Sequence, residues 1–589
     1  MKSSIGTVQA RGQVGVALLL AVGLVACPQP PTPNPNPTTA ELYLLTASNQ
    51  LVTVADNNPA QATSTVTITG LSAGDTLLAI DVRPQNSSLY GLARGTTGTV
   101  QLYAISPISG VATPVGSSGA LVDGGGNAVL LPATAVDMDF NPSADRLRVV
   151  ASTGLNFRIN PNTGALVDGD LGGAAGSVPG INPDGAISGA SASVGATAYT
   201  NNQPNTTATT QYTLDTVNAQ LLIQNPPNSG TQTAAQPLKL GGAAVSVSAI
   251  SGFDIAKGVN VTVNNTAVTS GDGFAALTVG GTQGLYRVNL STGALTSLGA
   301  FGAVGAVRSL AANTPTPGGF ALDASGTQLS RFSLDAPGTT SGATVSGVSS
   351  GETLVALDLR PNTRGLYALG VNATTNTATL YLLDPQTGAS TAVGVAGQIA
   401  FVDGNGNPVD LPDPATVAYD VDFNPTVDRL RVITSSGLNF RVIPVTGAPV
   451  DADGGVVGVN PDGALNGAST TSSGTAYTNS FAGTTATTMY NLDAATDQLF
   501  IQNPPNNGTL TVPVPVTLGG TALNFSASVG FDIPAAVQVS ASNAVATGEG
   551  YAALTVAGTS GLYRVNLTSG SATLVGSFTS PVRSLAIHP

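Results

Sequence analysis

LYRVNLSTGALTSLG, residues 285–299, is the stretch that decides the fold. It reads as a strand, a turn carrying Ser-Thr-Gly, and a second strand, with glycine supplying the positive φ that such a turn needs. The same form returns at LYAISPISGVATPVG (102–116), FRINPNTGALVDG (157–169), LYLLDPQTGASTAVG (380–394), FRVIPVTGAPVDADG (440–454) and LYRVNLTSGSATLVG (562–576). Another alternating run precedes each, such as LLAIDVRPQNSSLYGLAR (77–94) or ISGFDIAKGVNVTV (250–263). Two strands before the hairpin and two within it make a four-stranded sheet, recurring at a spacing of roughly 50 residues. Radial repetition of four-stranded sheets is a β-propeller. Alternating β-branched residues between Gly, Asn and Pro turns, with no long segment of 3.6-residue period, make the protein all-β.

A longer repeat overlies the short one. TAYTNNQPNTTATTQYTLDTVNAQLLIQNPPNSGT from Thr197 recurs as TAYTNSFAGTTATTMYNLDAATDQLFIQNPPNNGT from Thr475. Offsets stay between 275 and 283 along the chain, so it consists of two homologous halves, 41–312 and 313–589, joined near AANTPTPGG (311–319). Each half holds about five sheets. AVRSLA (306–311) ends the first half and PVRSLAIHP (581–589) the second, while ELYLLTAS (41–48) and GGFALDAS (318–325) read as sheets lacking a first strand. The expectation is two tandem propellers, each closed by its own VRSLA strand. One ring of about ten blades is the competing arrangement, and a stacked β-sandwich the third.

The amino-terminal residues read as an address. Lys2 and Arg11 flank VGVALLLAVGLVA (14–26), an apolar run too short to span a bilayer comfortably. LVAC ends in the chain's only cysteine, Cys27, and resembles the bacterial lipobox. That resemblance implies a signal peptide over 1–26, cleavage before Cys27, and lipidation of Cys27 by more than one acyl chain, enough for stable anchoring. PQPPTPNPNPTT (28–39) completes a Pro-rich linker over 27–40, an extended stalk. Pro28, not Asp, follows the cysteine, which is compatible with onward transport to an outer membrane or the cell surface. Without Lys2 and Arg11 the chain holds 17 basic against 32 acidic residues, a net charge of about −15. Nucleic acid is excluded as a partner on that balance, because binding it needs a basic face.

One short segment concentrates charge in this weakly charged chain. DMDFNPSADRLRVV (137–150) has a copy, DVDFNPTVDRLRVI, at 420–433. A hairpin with 141–144 as its loop sets Asp139 opposite Arg146 and Asp137 opposite Arg148; the copy sets Asp422 opposite Arg429 and Asp420 opposite Arg431. These eight residues are therefore expected to form structural ion pairs, and arginine suits bidentate pairing with carboxylate. Twelve of the 15 arginines after Cys27 recur between halves, which fits fixed architectural ties.

Catalysis is the alternative use of Asp137 and Asp139, as in carboxylate-dependent glycosidases. An arginine opposite each would depress its pKa and spoil it as an acid. The single histidine, His588, is penultimate and reads as part of a frayed end; no nucleophile elbow, phosphate loop or zinc set is present. No catalytic residue and no cofactor is assigned. FVDGNGNPVD (401–410) offers Asp403, Asn405, Asn407 and Asp410 as calcium candidates at alternate spacing, beside the plainer reading of an Asx/Gly turn. VDGDLG (167–172) and VDADGG (450–455) are weaker candidates of the same kind.

DxDFNPxxDRLRV, followed by GLNFR and NPDGA, occurs once per half and resembles the bacterial family DUF4394, a domain of unknown function. The resemblance covers nearly the whole chain after the linker in two copies. It implies an exported or envelope-anchored protein and brings no activity. The expected function is a non-catalytic, lipid-anchored envelope protein serving as a binding or scaffolding module, held to the membrane through its acyl anchor, with an envelope or surface-layer protein as partner. A structural component of a surface layer and a propeller enzyme acting on glycans are the alternatives.

Overall fold

The computed structural model describes residues 40–313 and 315–588, and Ala40–Pro589 form one compact unit. Cys27 and the residues of the expected signal and linker up to Thr39 lie outside the described residues. Strands carry the fold, with only four short 3-10 turns among the described residues. No helix among them is long and apolar enough to cross a membrane.

Each half is a ring of five blades. In the first, the strands run outward from Thr76–Arg83, Val136–Asn141, Val194–Tyr199 and Val247–Asp254, each followed in sequence by its three partners. The remaining blade is closed from the other end: Val307–Asn313 pairs antiparallel with Glu41–Thr46, Leu44 opposite Leu310. In the second half Val582–His588 pairs with Gly318–Asp323, Ala321 opposite Leu585. The five innermost strands of each half pack in a closed circuit, each against the next, and the last against the first. Two rings therefore exist and a single large one does not. Blade size departs from four strands in places: the blade of Tyr419–Asn424 has three, and those of Val194–Tyr199 and Val247–Asp254 recruit extra two-residue strands.

The hairpin at 285–299 forms as read, between Thr282–Asn289 and Ala294–Ala300. Asn289 Oδ1 accepts from the Ser291 N–H, and Gly293 takes φ 71° and returns its N–H to the Asn289 carbonyl at 2.9 Å. Apolar residues fill the spaces between blades rather than one central core. Met138 and Phe140 of one blade meet Leu92 and Leu102 of the preceding one, and Tyr90 stands edge-on to Phe140 with centroids 5.4 Å apart. Both faces of an inner strand are buried this way, so Thr76–Arg83 is buried along seven of its eight residues.

The rings meet through turns. Asn86 Nδ2 donates to the Arg364 carbonyl, Arg364 Nε to Ser88 Oγ, Arg331 Nε to the Gln85 carbonyl, Ser109 Oγ to the Ala482 carbonyl, and Gln85 pairs with Gln386. Arg331 and Arg364 are two of the three arginines without a counterpart in the other half. Duplication supplies two like rings, and these unduplicated side chains join them.

Candidate functional site

An innermost strand has one edge with no further strand to pair, and the N–H groups along it need acceptors. Aspartates on neighbouring inner strands supply them. Asp81 accepts from the Phe140 N–H of the next blade at 2.8 Å, and Asp254 from the Ala312 N–H of the closing strand at 2.6 Å. Asp137 bridges the Thr197 and Phe253 N–H groups, both at 3.2 Å, and Asp139 takes the N–H of Tyr199. Ser309 on the closing strand accepts from Ile80 at 3.0 Å. The second ring repeats the pattern with Asp358, Asp420, Asp422, Asp532 and Ser584.

These aspartates crowd together. One carboxylate oxygen from each of Asp81, Asp139 and Asp254 lies within 4.8 Å of the others, and Asp358, Asp422 and Asp532 do the same. All six are buried. Burial raises the pKa of Asp81 and Asp139 well above the ordinary range, with repulsion from Asp254 adding to it at Asp81 and from Asp81 and Asp254 at Asp139. Asp137 is raised mainly by burial, against its hydrogen bonds. Asp254 is pushed up to about 6 and Asp532 to about 7. Asp81 and Asp139 are therefore the groups most inclined to hold protons, and the Asp139 side chain stands against that of Asp254. Three oxygens at this spacing would suit a hard divalent cation only after those protons are given up.

The pairing expected for Asp137, Asp139, Asp420 and Asp422 is therefore corrected. The turn occupies 142–145, so Asn141 faces Arg146, Asp139 faces Arg148, and Asp137 faces Val150. Asn424–Arg429 and Asp422–Arg431 repeat that register. Asp145 sets it, taking φ 48° and donating its N–H to the Asn141 carbonyl at 2.9 Å. None of the four aspartates forms an ion pair among the described residues. The arginines look elsewhere. Arg148 Nη1 meets Asp184 at 2.5 Å, and Arg158 meets the same carboxylate through Nε and Nη2 at 2.8 and 2.6 Å. Arg148 also donates to Asn156 at 2.9 Å and Asn228 at 2.6 Å. Arg431, Arg441, Asp462, Asn439 and Asn506 repeat the set. Arg146 and Arg429 donate only to nearby backbone carbonyls.

DRLRV, GLNFR and NPDGA thus converge: Arg148 comes from the first, Asn156 and Arg158 from the second, Asp184 from the third. Two further motif residues tie blades together. Arg83 of one blade grips Asp145 of the next, the Nε–Oδ1 distance being 2.8 Å, and Arg360 grips Asp428 likewise. Arg287 pairs with Asp56 across the closing blade.

The calcium candidates behave as a turn. Asp403 Oδ1 accepts the N–H groups of Asn405 and Asn407, both at 2.8 Å, and Asn407 Nδ2 reaches the second oxygen at 3.0 Å. These bonds hold Asp403 below its ordinary pKa. The first half does the same with Asp123 and Asn127. Asp168 and Asp451 likewise organise their own loops by accepting from Asn182 and Asn460. His588 is corrected too: it is buried in the closing strand, its ring 5.4 Å from that of Phe320.

The family model for a domain of unknown function, DUF4394, matches residues 37–311 and again 328–586. The chain belongs to the DUF4394 family. The two matches coincide with the two rings, so a DUF4394 domain here is one five-bladed propeller. No curated protein matches the chain. Solved structures similar to it include a computationally designed protein, Ika8, at 11% identity, with 85% of this chain and 99% of that one covered and a TM-score of 0.19. The Dos1 propeller follows at 9% identity, 85% and 95% coverage and 0.21, and the β-propeller domain of Cps50 (Swd1) from Myceliophteria thermophila at 9%, 74% and 95%, and 0.20. The propeller assignment for DUF4394 rests on the strand pairing and ring closure above.

Proposed function

We propose that this protein is a non-catalytic, lipid-anchored module of the cell envelope that binds or scaffolds a partner on the extracytoplasmic side. One observation supports it above the rest: the motif residues assemble the same buried Arg–Asp–Arg site twice on one compact unit, once per ring. A chain that joins two copies of one site gains avidity for a repetitive or paired partner without any new contact. The central aspartates serve a different end, accepting from the inner-strand N–H groups inside each ring, which fits architecture rather than turnover. The lipobox at Cys27 and the Pro-rich stalk supply the anchoring half of the reading.

Co-purification from envelopes in mild detergent tests this, comparing the native protein with Cys27→Ala. A stoichiometric partner recovered with the native protein and lost with the variant is the expected result. A solitary native protein overturns the scaffold reading, counts equally against the surface-layer alternative, and leaves the glycan-enzyme one. Lysine crosslinkers suit the experiment poorly, since Lys239 and Lys257 are the only lysines after Cys27.

A further inference from the structure

Over the first Arg–Asp–Arg site lies a cavity of about 280 Å³, lined by Arg146, Arg148, Arg158, Tyr199 and Asn228 among others. Its charge is unbalanced. Asp184 is the one carboxylate paired with Arg148 and Arg158, and Asp145 is taken by Arg83. Arg146 has no carboxylate partner among the described residues and gives one bond to the Asp145 carbonyl. Arg148 Nε is buried with no hydrogen-bond partner. Three guanidiniums against one carboxylate leave two positive charges in a concave, half-buried place, within a chain that is strongly acidic elsewhere. A desolvated cation without a counter-charge is costly, and a cleft lined by one sign of charge concentrates ions of the other.

We propose that this cleft binds a phosphoryl group, as a phosphate monoester or inorganic phosphate, with Arg146 and Arg158 as its principal donors. A dianion matches the two excess charges, where a carboxylate matches one. Guanidinium forks and the Asn228 amide supply the several donors that three terminal oxygens require. Arg429, Arg431, Arg441, Tyr477 and Asn506 repeat the donor set in the second ring, where Arg431 Nε donates to the Tyr477 hydroxyl at 3.5 Å. This inference rests on the reading of the protein as a binding module and names the ligand class for its repeated site.

Calorimetric titration of the full chain in detergent with inorganic phosphate, and separately with acetate, tests it. Two phosphate sites are expected, with acetate weaker by tenfold or more. Arg146→Gln should remove one site and Arg146→Gln/Arg429→Gln both, a loss of roughly ten- to a hundredfold in affinity per site. Arg146 is partly exposed and bonds only to backbone, so glutamine there leaves the fold intact. No phosphate binding, equal binding of acetate, or binding unchanged in the double variant would each overturn the proposal. If a variant fails to fold, the contrast between phosphate and acetate on the native chain still decides it. Failure of the co-purification with phosphate binding intact would reject the scaffold and keep the site; the reverse would reject the site alone.

Discussion

Replacing Asp139 by asparagine should stabilise the protein at neutral pH. Asp139 gives one oxygen to the Tyr199 N–H and sets its side chain against Asp254. An amide keeps the acceptor and presents an N–H₂ donor to Asp254 without taking up a proton. The size of the effect follows from linkage. A carboxyl whose folded pKa is raised favours the native state fully below its unfolded pKa near 4, and that advantage is lost as pH rises through the folded value. For the neighbouring Asp254, raised to about 6, a rise of about two units at 1.36 kcal/mol each is on the order of 3 kcal/mol. Asp139 is raised in the same direction by the same burial, with Asp81 and Asp254 repelling it. The difference in stability between Asp139→Asn and wild type should therefore be small at pH 4 and widen toward pH 8, in favour of the variant. Thermal melting of the full chain across that range measures it. A variant less stable at pH 8, or a difference independent of pH, would refute the protonated-cluster account and restore a salt-bridged Asp139.

Arg83→Met should cost on the order of 3–5 kcal/mol by stranding Asp145, both groups being about 1% exposed, as denaturant unfolding would show. Arg360→Met should cost less, because Asp428 is 24% exposed and water can take over part of the lost interaction. Truncation before Val582 should leave the second ring open and aggregation-prone by light scattering, and a peptide spanning 581–589 should restore a single cooperative melt. Gly252→Ala should lower the melting temperature, the conformation alone costing about 1–3 kcal/mol. Gly252 sits at φ 124° and an added Cβ would stand 2.6 Å from the Leu310 nitrogen of the closing strand.

The hairpins and the closing strands were legible because they rest on local rules. Gly293 marks its own turn, and VRSLA pairs with whichever sheet lacks a strand. The site was only half legible. DRLRV was recognisable as a cluster, but its partner Asp184 lies 36 residues from Arg148, in a loop whose NPDGA motif carries no periodicity. The hairpin register slipped by two residues because Asp145 adopts a left-handed conformation inside the turn, which Asn-Pro alone does not announce. Asp81 and Asp254 stood in plain view in LLAIDVR and ISGFDI. Their signal was an acid at an interior position of a strand otherwise apolar, repeated at Asp358 and Asp532. What no strand pattern discloses is that the inner edges of five strands face one another and must borrow acceptors.

Ring closure also sets an order of events for a chain that emerges from one end. Glu41–Thr46 waits for Val307–Asn313, so the earliest blade is completed by residues made more than 250 positions later. Meanwhile Val307–Asn313 is followed almost at once by Gly318–Asp323, the strand that seeks an identical VRSLA partner. A short hairpin between those neighbours would form faster than either long-range pairing. Pro315 and Pro317 lie in the gap, where fixed φ and missing donors oppose a tight reversal. Those prolines should therefore steer each terminal strand past its nearest suitor to its own ring, and replacing both with glycine should slow refolding of the full chain, as stopped-flow fluorescence would show.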